Sequence, residues 1–437
     1  LNPFFFGHMG MNSKDLIIFF SLIWSCYYFY LYCTEDKKII KNLLLTSFFI
    51  GFGCGVRLTF PVVIFPVIVC GLIFLYKKYE ANYKNLFKRL LNHSLVTIII
   101  VIFLVILCWP HMIEEIQNGN FRDFFTLIVK NTINWNDGPK TGFINGEYYE
   151  VFNTPKTYFL DVVIYRLPFY FSILIIFSYL LFFTKNLDTK NQIKNFNVKF
   201  LLINVVAFFP ILLALVLSVN IYDNLRLFLF IVPFFSLIAA FSIDQLFSTF
   251  KNSWISKINL SIVLILFCLS FYRFILLTPY QYDYINYSFL KYEDSKGKFE
   301  HDYWGSSYKE LVSKIEKKYS KEEIKNFKFT NCSGDGILLY YLTRKLGKKM
   351  IYRSEKEHEA THVVIINRAT LDIFNPKVYP KIKHLVNDQG TMLLRDMEEV
   401  VRFPGVKTVC PNQYPGNDEV IVSRNGVPLS IFRKLDK

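Results

Sequence analysis

Up to about residue 277 the chain is a relay of apolar segments, each approaching or exceeding the length needed to cross a bilayer. A spanning helix takes ~17–25 predominantly apolar residues. Leu16–Cys33, Leu43–Val56 joined to Leu58–Tyr76, Ser94–Pro110, Tyr158–Phe183, Phe200–Ser218, Leu227–Phe247 and Ile258–Leu277 are such segments. They predict about eight crossings, the second and third short and broken around Arg57 and Pro61. Residues 278–437 have the mixed pattern of a small soluble α/β or α+β domain. The expected fold class is therefore mainly α: a polytopic transmembrane helical bundle over residues 1–277, then a soluble domain.

Charge orients the bundle. Lys37, Lys38 and Lys41, then Lys77, Lys78, Lys84, Lys88 and Arg89, then Lys185, Lys190, Lys194 and Lys199, then Lys251 and Lys257 fall on one side if every segment crosses. The positive-inside rule makes that side cytoplasmic. Asp15, the loop of residues 111–157, the Asn220–Arg226 turn and the domain from residue 278 are expected outside. A multi-pass protein of the plasma (inner) membrane follows, with its C-terminal domain periplasmic. The net charge of +15 is largely used in these loops, so membrane lipid is an expected partner and nucleic acid is not. Residue 1 is Leu, and Asn2–Asp15 lies outside with no preceding span, which suggests upstream helices lost from the chain. Cys332 and Cys410 share the exported domain, where a disulfide is permitted; their pairing stays open.

Charge inside a bilayer is costly, ~2.5–3.5 kcal/mol at its centre on insertion scales, so charges at span ends invite a functional reading. Four places stand out on the outer side: the Asn2–Asp15 stretch with His8, Arg57, the Asp161 and Arg166 pair, and Tyr222–Arg226 with Asp223. Together they suggest a polar, outward-facing cavity. Asp161 and Arg166, five apart, share a helical face poorly and read as structural. A carboxylate such as Asp15 can take a proton from an acceptor hydroxyl, and an arginine such as Arg226 can hold a phosphate leaving group. In the outer loop Trp135, Tyr148 and Tyr149, with Tyr158 just beyond, suit either stacking on sugar rings or the headgroup belt.

Several stretches carry a family resemblance: Asn12–Asp15 ahead of a span, Gly51–Arg57, Phe143–Tyr149 followed by Pro155, Tyr222–Arg226 running into Phe228–Ala240, Thr278–Asn286, and Phe299–Gly305. In this order they resemble the polytopic glycosyltransferases of the GT-C superfamily, near the protein O-mannosyltransferase and aminoarabinose transferase branch. The resemblance implies transfer of a sugar from a polyprenyl-phosphate donor to a glycan, lipid or protein acceptor outside the cytoplasm, with inversion. It implies a catalytic acid in an outer loop upstream of Leu1, a second acid matching Asp15, and a donor-phosphate arginine matching Arg226. Arg57 stands where relatives often carry a lysine or another polar group, and is read as a second phosphate-binding residue. His8, Asp223, Trp135 and Tyr148 are read as substrate-lining. No cofactor is assigned by this reading, and dependence on a divalent cation is left open.

In the exported domain Tyr308–Tyr319 and Ile337–Leu346 read as helices, and Phe327–Cys332, Val363–Asn367, Val400–Phe403, Glu419–Val422 and Leu429–Phe432 as strands. His358-Glu359-Ala360-Thr361-His362 matches the HExxH zinc pattern, which requires a helix. Here it runs into the β-branched Val363–Ile366, so a strand is expected and no metal site is assigned. The rival functions are a flippase or transporter of lipid-linked saccharide, a non-catalytic membrane protein with an exported binding domain, and a membrane metallopeptidase.

Overall fold

The structure, a computed structural model, describes residues 2–79, 83–110, 113–114, 117–119, 141–145, 147–150, 154–188, 193–217, 221, 224–249, 254–286, 298–299, 301–302, 304–332, 335–349, 359–366 and 416–436. A short helix α1 (Pro3–His8) opens the chain, capped by the Asn2 side chain with Pro3 in the first turn, where its missing N–H costs nothing. Helices α2 (Ser13–Thr34), α3 (Ile39–Val56), α4 (Phe60–Lys78) and α5 (Tyr83–Cys108) follow, with α3 packed on both α2 and α5 and α4 packed on α2. A hairpin of β1 (Thr141–Ile144) and β2 (Glu147–Glu150) precedes α6 (Tyr158–Arg166), α7 (Phe169–Asp188) and α8 (Ile193–Val216). A 3-10 turn (Arg226–Ile231) leads into α9 (Val232–Thr249), and α10 (Trp254–Leu276) closes the bundle.

Six of the described helices are long and apolar enough to span, or seven if the bent pair α6 and α7 is one span; the apolar helix Phe200–Val216 is shorter. Faces of α5 and α10 leave Ile98, Ile99, Ile102, Phe103, Leu264 and Ile265 uncovered. Apolar surface on that scale suits acyl chains rather than water. The chain is thus a multi-pass membrane protein. The segment expected to cross straight from Tyr158 to Phe183 instead bends by 119° after Arg166. Pro168 is the cause: it disfavours the helical conformation for Leu167, which is extended at φ −93°, ψ 143°.

Close helix approach comes from small residues. A Cβ on Gly51 would meet Leu104 Cδ1 at 2.7 Å, and one on Gly55 would meet Cys108 Sγ at 2.6 Å, so α3 and α5 touch along this stripe. Polar pairs bridge helices too: Ser47 to Thr97 at 2.8 Å and Tyr32 to His93 at 2.8 Å. Just past the end of α2, Asp36 accepts from Lys78 Nζ at 2.9 Å and from the Tyr79 hydroxyl at 2.7 Å. The lysine-bearing loops after α2 and α4 therefore share one end, and Asp15, at the start of α2, marks the other.

Beyond α10 a 3-10 turn (Gln281–Asp283) packs on α1. The C-terminal unit has α11 (Tyr308–Lys318), α12 (Lys321–Asn326), β3 (Phe329–Cys332), α13 (Asp335–Tyr341) running into a π turn (Leu342–Leu346), β4 (His362–Ile366), β5 (Gly416–Arg424) and β6 (Val427–Leu435). Its sheet has the order β3-β4-β6-β5, with β3 parallel to β4 and the other pairs antiparallel. All five residues of the central strand β4 are buried. Helix α11 lays Tyr308, Leu311, Val312 and Ile315 against Phe329, Val364 and Phe432. Asn425 and Gly426 both take positive φ, as a two-residue hairpin turn requires. The expected strand Val400–Phe403, most of the expected outer-loop segment, and the Cys410 half of the disulfide question lie outside the described residues.

Gly7 is the tightest point between α1 and the turn at 281–283. A Cβ there would stand 1.9 Å from the Tyr282 backbone nitrogen, which cannot rotate away. Gly7→Ala is expected to lower stability by about 1–3 kcal/mol through forced displacement of packed backbone. An unchanged thermal midpoint of the purified full chain would refute the close approach.

Candidate functional site

Asp15 sits in the first turn of α2, where a helix N-terminus favours an anion. Asn12, the cap, accepts from the Asp15 N–H at 3.4 Å and donates Nδ2 to Asp15 Oδ2 at 2.5 Å. The carboxylate is 2 % exposed. Arg57 reaches it from the corner between α3 and α4, with Nη2 2.5 Å from Oδ1. The corner exists because Arg57 is extended (φ −142°, ψ 120°) before α4 restarts with Pro61 in its first turn. Arg226, opening the 3-10 turn, places Nε 3.8 Å from Asp15 Oδ2, an ion-pair distance rather than a hydrogen bond. Two guanidinium groups thus converge on one buried carboxylate.

The Arg226 turn is held from within the bundle. Asn224 is left-handed (φ 58°), an Asn-tolerated conformation. Its carbonyl accepts the Tyr158 hydroxyl at 2.9 Å, and its Oδ1 accepts Arg166 Nε at 3.2 Å. Arg166 is 1 % exposed, donates Nη1 to the Tyr284 carbonyl at 2.9 Å, and lies 5.6 Å and 5.7 Å from the Phe4 and Phe299 rings. Arg166 thereby ties Asn224, two residues ahead of Arg226, to the backbone at Tyr284.

His8 caps this cluster from α1. It is 1 % exposed, its ring lies 4.5 Å from Phe4, and neither ring nitrogen meets a hydrogen-bond partner among the described residues. Burial first, then Arg226 and Arg166, push its pKa down to about 3, so it is neutral near pH 7. A depressed histidine pKa gives stability that is complete above the unfolded value of 6.5 and is lost as pH falls toward 3. Each pH unit inside that window costs about 1.4 kcal/mol. Asp302, raised to about 6 mainly by burial, has the opposite sign: its contribution is greatest below 3.8 and fades as pH rises through about 6. Comparing wild type with His8→Gln isolates the first effect, since Asp302 is common to both. The variant is expected to lose less stability between pH 6.5 and 5 in thermal melts; parallel slopes would contradict a neutral buried His8.

Other sequence candidates fare differently. Trp135 and Asp223 lie outside the described residues, as does the side chain of Tyr148, whose backbone pairs with Phe143 in the hairpin. Tyr149 and Tyr158, read as suited to sugar stacking or the headgroup belt, are both buried, and their hydroxyls donate to the Ile221 and Asn224 carbonyls, each at 2.9 Å. The hairpin signal was Asn145-Gly146 between β-forming residues. Two contributors were missed, Asn224 and Trp304; the ring centre of Trp304 lies 4.3 Å from Arg226 Cζ.

Around Asp15 the described groups are one carboxylate among guanidinium groups, a donor set that does not fit a divalent cation. Among the described residues no group of three His, Cys, Asp or Glu is placed to hold a metal. His358 of the HExxH pattern lies outside the described residues. His362 opens strand β4, stacked on Phe432 at 4.6 Å, with Nδ1 2.8 Å from Thr361 Oγ1. The expected strand is present there.

The arrangement offers a buried hydrogen-bond acceptor beside two cations, at the bundle end where α1, the 226 turn and the C-terminal domain meet. No protein-family model matches this chain, and comparison with curated proteins and with solved structures gives no match either.

Proposed function

We propose that this protein is a membrane glycosyltransferase of the GT-C kind, moving a sugar from a polyprenyl-phosphate donor to an acceptor outside the cytoplasm with inversion. The observation that carries the proposal is the convergence of Asp15, Arg57 and Arg226 at one end of the bundle. In the reaction an acceptor hydroxyl oxygen bonds to the anomeric carbon as the bond from that carbon to the phosphate oxygen breaks. The phosphate leaves with the bonding electron pair, and the hydroxyl proton passes to the Asp15 carboxylate. Arg226 and Arg57 offset the charge of the phosphate, and Asp15 accepts the hydrogen bond that orients the hydroxyl. The C-terminal domain shapes acceptor access from the non-cytoplasmic side.

The test is transfer of radiolabelled sugar from polyprenyl phosphate in membranes holding the full-length protein. Label in the acceptor fraction is the expected result, and none above membranes lacking the protein removes the proposal. The 119° break between α6 and α7 favours a second reading, transport of a lipid-linked saccharide, because discontinuous helices mark many transporter sites. Proteoliposomes that move the intact lipid-linked sugar across the bilayer, without cleaving it, would establish that alternative.

A further inference from the structure

Arg226 belongs to the bundle, but the aromatic face it lies against belongs to the C-terminal domain. Its Cζ is 4.3 Å from the centre of the Trp304 ring, inside the ~6 Å range of cation–π attraction. Both partners are held by turns that have little freedom. Asp302, buried and left-handed at φ 44°, accepts the Ser306 N–H at 2.9 Å, the Ser307 N–H at 3.1 Å and the Ser306 hydroxyl at 3.0 Å. The Ser307 and Tyr282 hydroxyls donate to the same carboxyl group. Gly305 completes the turn at φ 64°, where a Cβ would stand 2.8 Å from the Tyr308 ring. Trp304 projects from the middle of this knot. On the other side, Asn224 is pinned by Tyr158 and Arg166 two residues before Arg226. A buried polar network of this kind is costly unless every member is satisfied, so it specifies one geometry.

We propose that Trp304 is a positioning residue for Arg226, so that the C-terminal domain sets the orientation of the guanidinium that receives a lipid phosphate. This rests on the phosphate-binding role given to Arg226 above. A guanidinium lying against an indole keeps its N–H donors in its own plane, where they can meet phosphate oxygens side by side. The indole also shields one face of the cation from water, which strengthens its field at the phosphate. The bundle alone supplies the cation, and the domain supplies its alignment.

The experiment uses the purified full chain in detergent with farnesyl phosphate as probe, titrated calorimetrically. Trp304 is replaced site-specifically by mono-, di- and trifluorinated tryptophan, which closely preserve the shape of the ring while weakening its negative face. Affinity is expected to fall stepwise along the series, by about three- to tenfold at the trifluoro residue. Trp304→Leu is expected to lose about tenfold or more, and Trp304→Phe less. Affinity that stays constant along the fluorinated series, while Arg226→Ala abolishes binding, overturns the positioning role and leaves the phosphate reading standing. Binding indifferent to Arg226→Ala, or a wild-type chain that does not bind farnesyl phosphate, overturns the phosphate reading and this inference together. Thermal midpoints of the fluorinated proteins, expected to match wild type, separate misfolding from loss of alignment.

Discussion

Asp15→Asn, made in the full-length protein, is expected to lower sugar transfer by about a hundredfold or more, in the range lost when a positioned acid–base group is removed. The substitution nearly preserves volume and shape. It keeps an amide oxygen for Arg57, which lies 2.5 Å from the carboxylate, but removes the charge and turns one acceptor into a donor. Asn12, which donates to the other oxygen at 2.5 Å, then faces an N–H group unless its own amide turns over. Arg57 and Arg226 keep side-chain exposures of 25 % and 15 %, so each retains some contact with water when the charge is lost. The stability loss is therefore expected to stay at about 1.5–3 kcal/mol, that of a hydrogen bond to a charged group. Asp15→Ala removes the acceptor entirely and should be worse in both respects. Transfer at the wild-type rate by Asp15→Asn, at equal protein in the membrane, would end the role given to this residue.

The second large effect is expected at Arg166. Arg166→Leu fills most of the space but leaves the Tyr284 carbonyl and Asn224 Oδ1 without the donors they now have at 2.9 Å and 3.2 Å. Each buried acceptor left without a partner costs about 1–3 kcal/mol. Part of this is offset because the guanidinium no longer has to be desolvated. A net loss of about 2–4 kcal/mol follows, read as a lower thermal midpoint in detergent. Arg166→Lys should rescue little, because an ammonium cannot span two acceptors with the planar fork. The Asn224 anchor precedes Arg226 by two residues, so activity below the melting range should fall as well. A variant with leucine at 166 that melts like wild type would show that the bonds to Tyr284 and Asn224 contribute nothing net.

These two predictions differ in how far sequence alone leads to them. Asp15 was identifiable as an acid at the mouth of a span, and Arg57 and Arg226 as cations at span ends. Arg166 looked like an ordinary helix-terminal charge, since its partners Tyr284 and Asn224 are distant in the chain and uncharged. Trp304 lay inside a recognisable stretch, yet only the left-handed Asp302 and Gly305 turn it toward the bundle. The Pro168 break was written in the chain, but a long apolar run on both sides concealed it. Asn145-Gly146 was a legible hairpin signal passed over inside a loop.

By itself the chain determined the apolar helices, their alternation with lysine-rich loops, and the change at residue 278 to a mixed helix and strand pattern. Those properties are local: hydropathy, charge and period are decided by neighbours within a few turns. Only the tertiary structure decided that the end of α1, the start of α2, the corner at Arg57, the turn at Arg226 and the loop at Trp304 come together around one carboxylate. That convergence depends on which helix faces pack together, through glycine contacts such as those of Gly7, Gly51 and Gly55. Such contacts join residues far apart in the chain, and no local pattern encodes them.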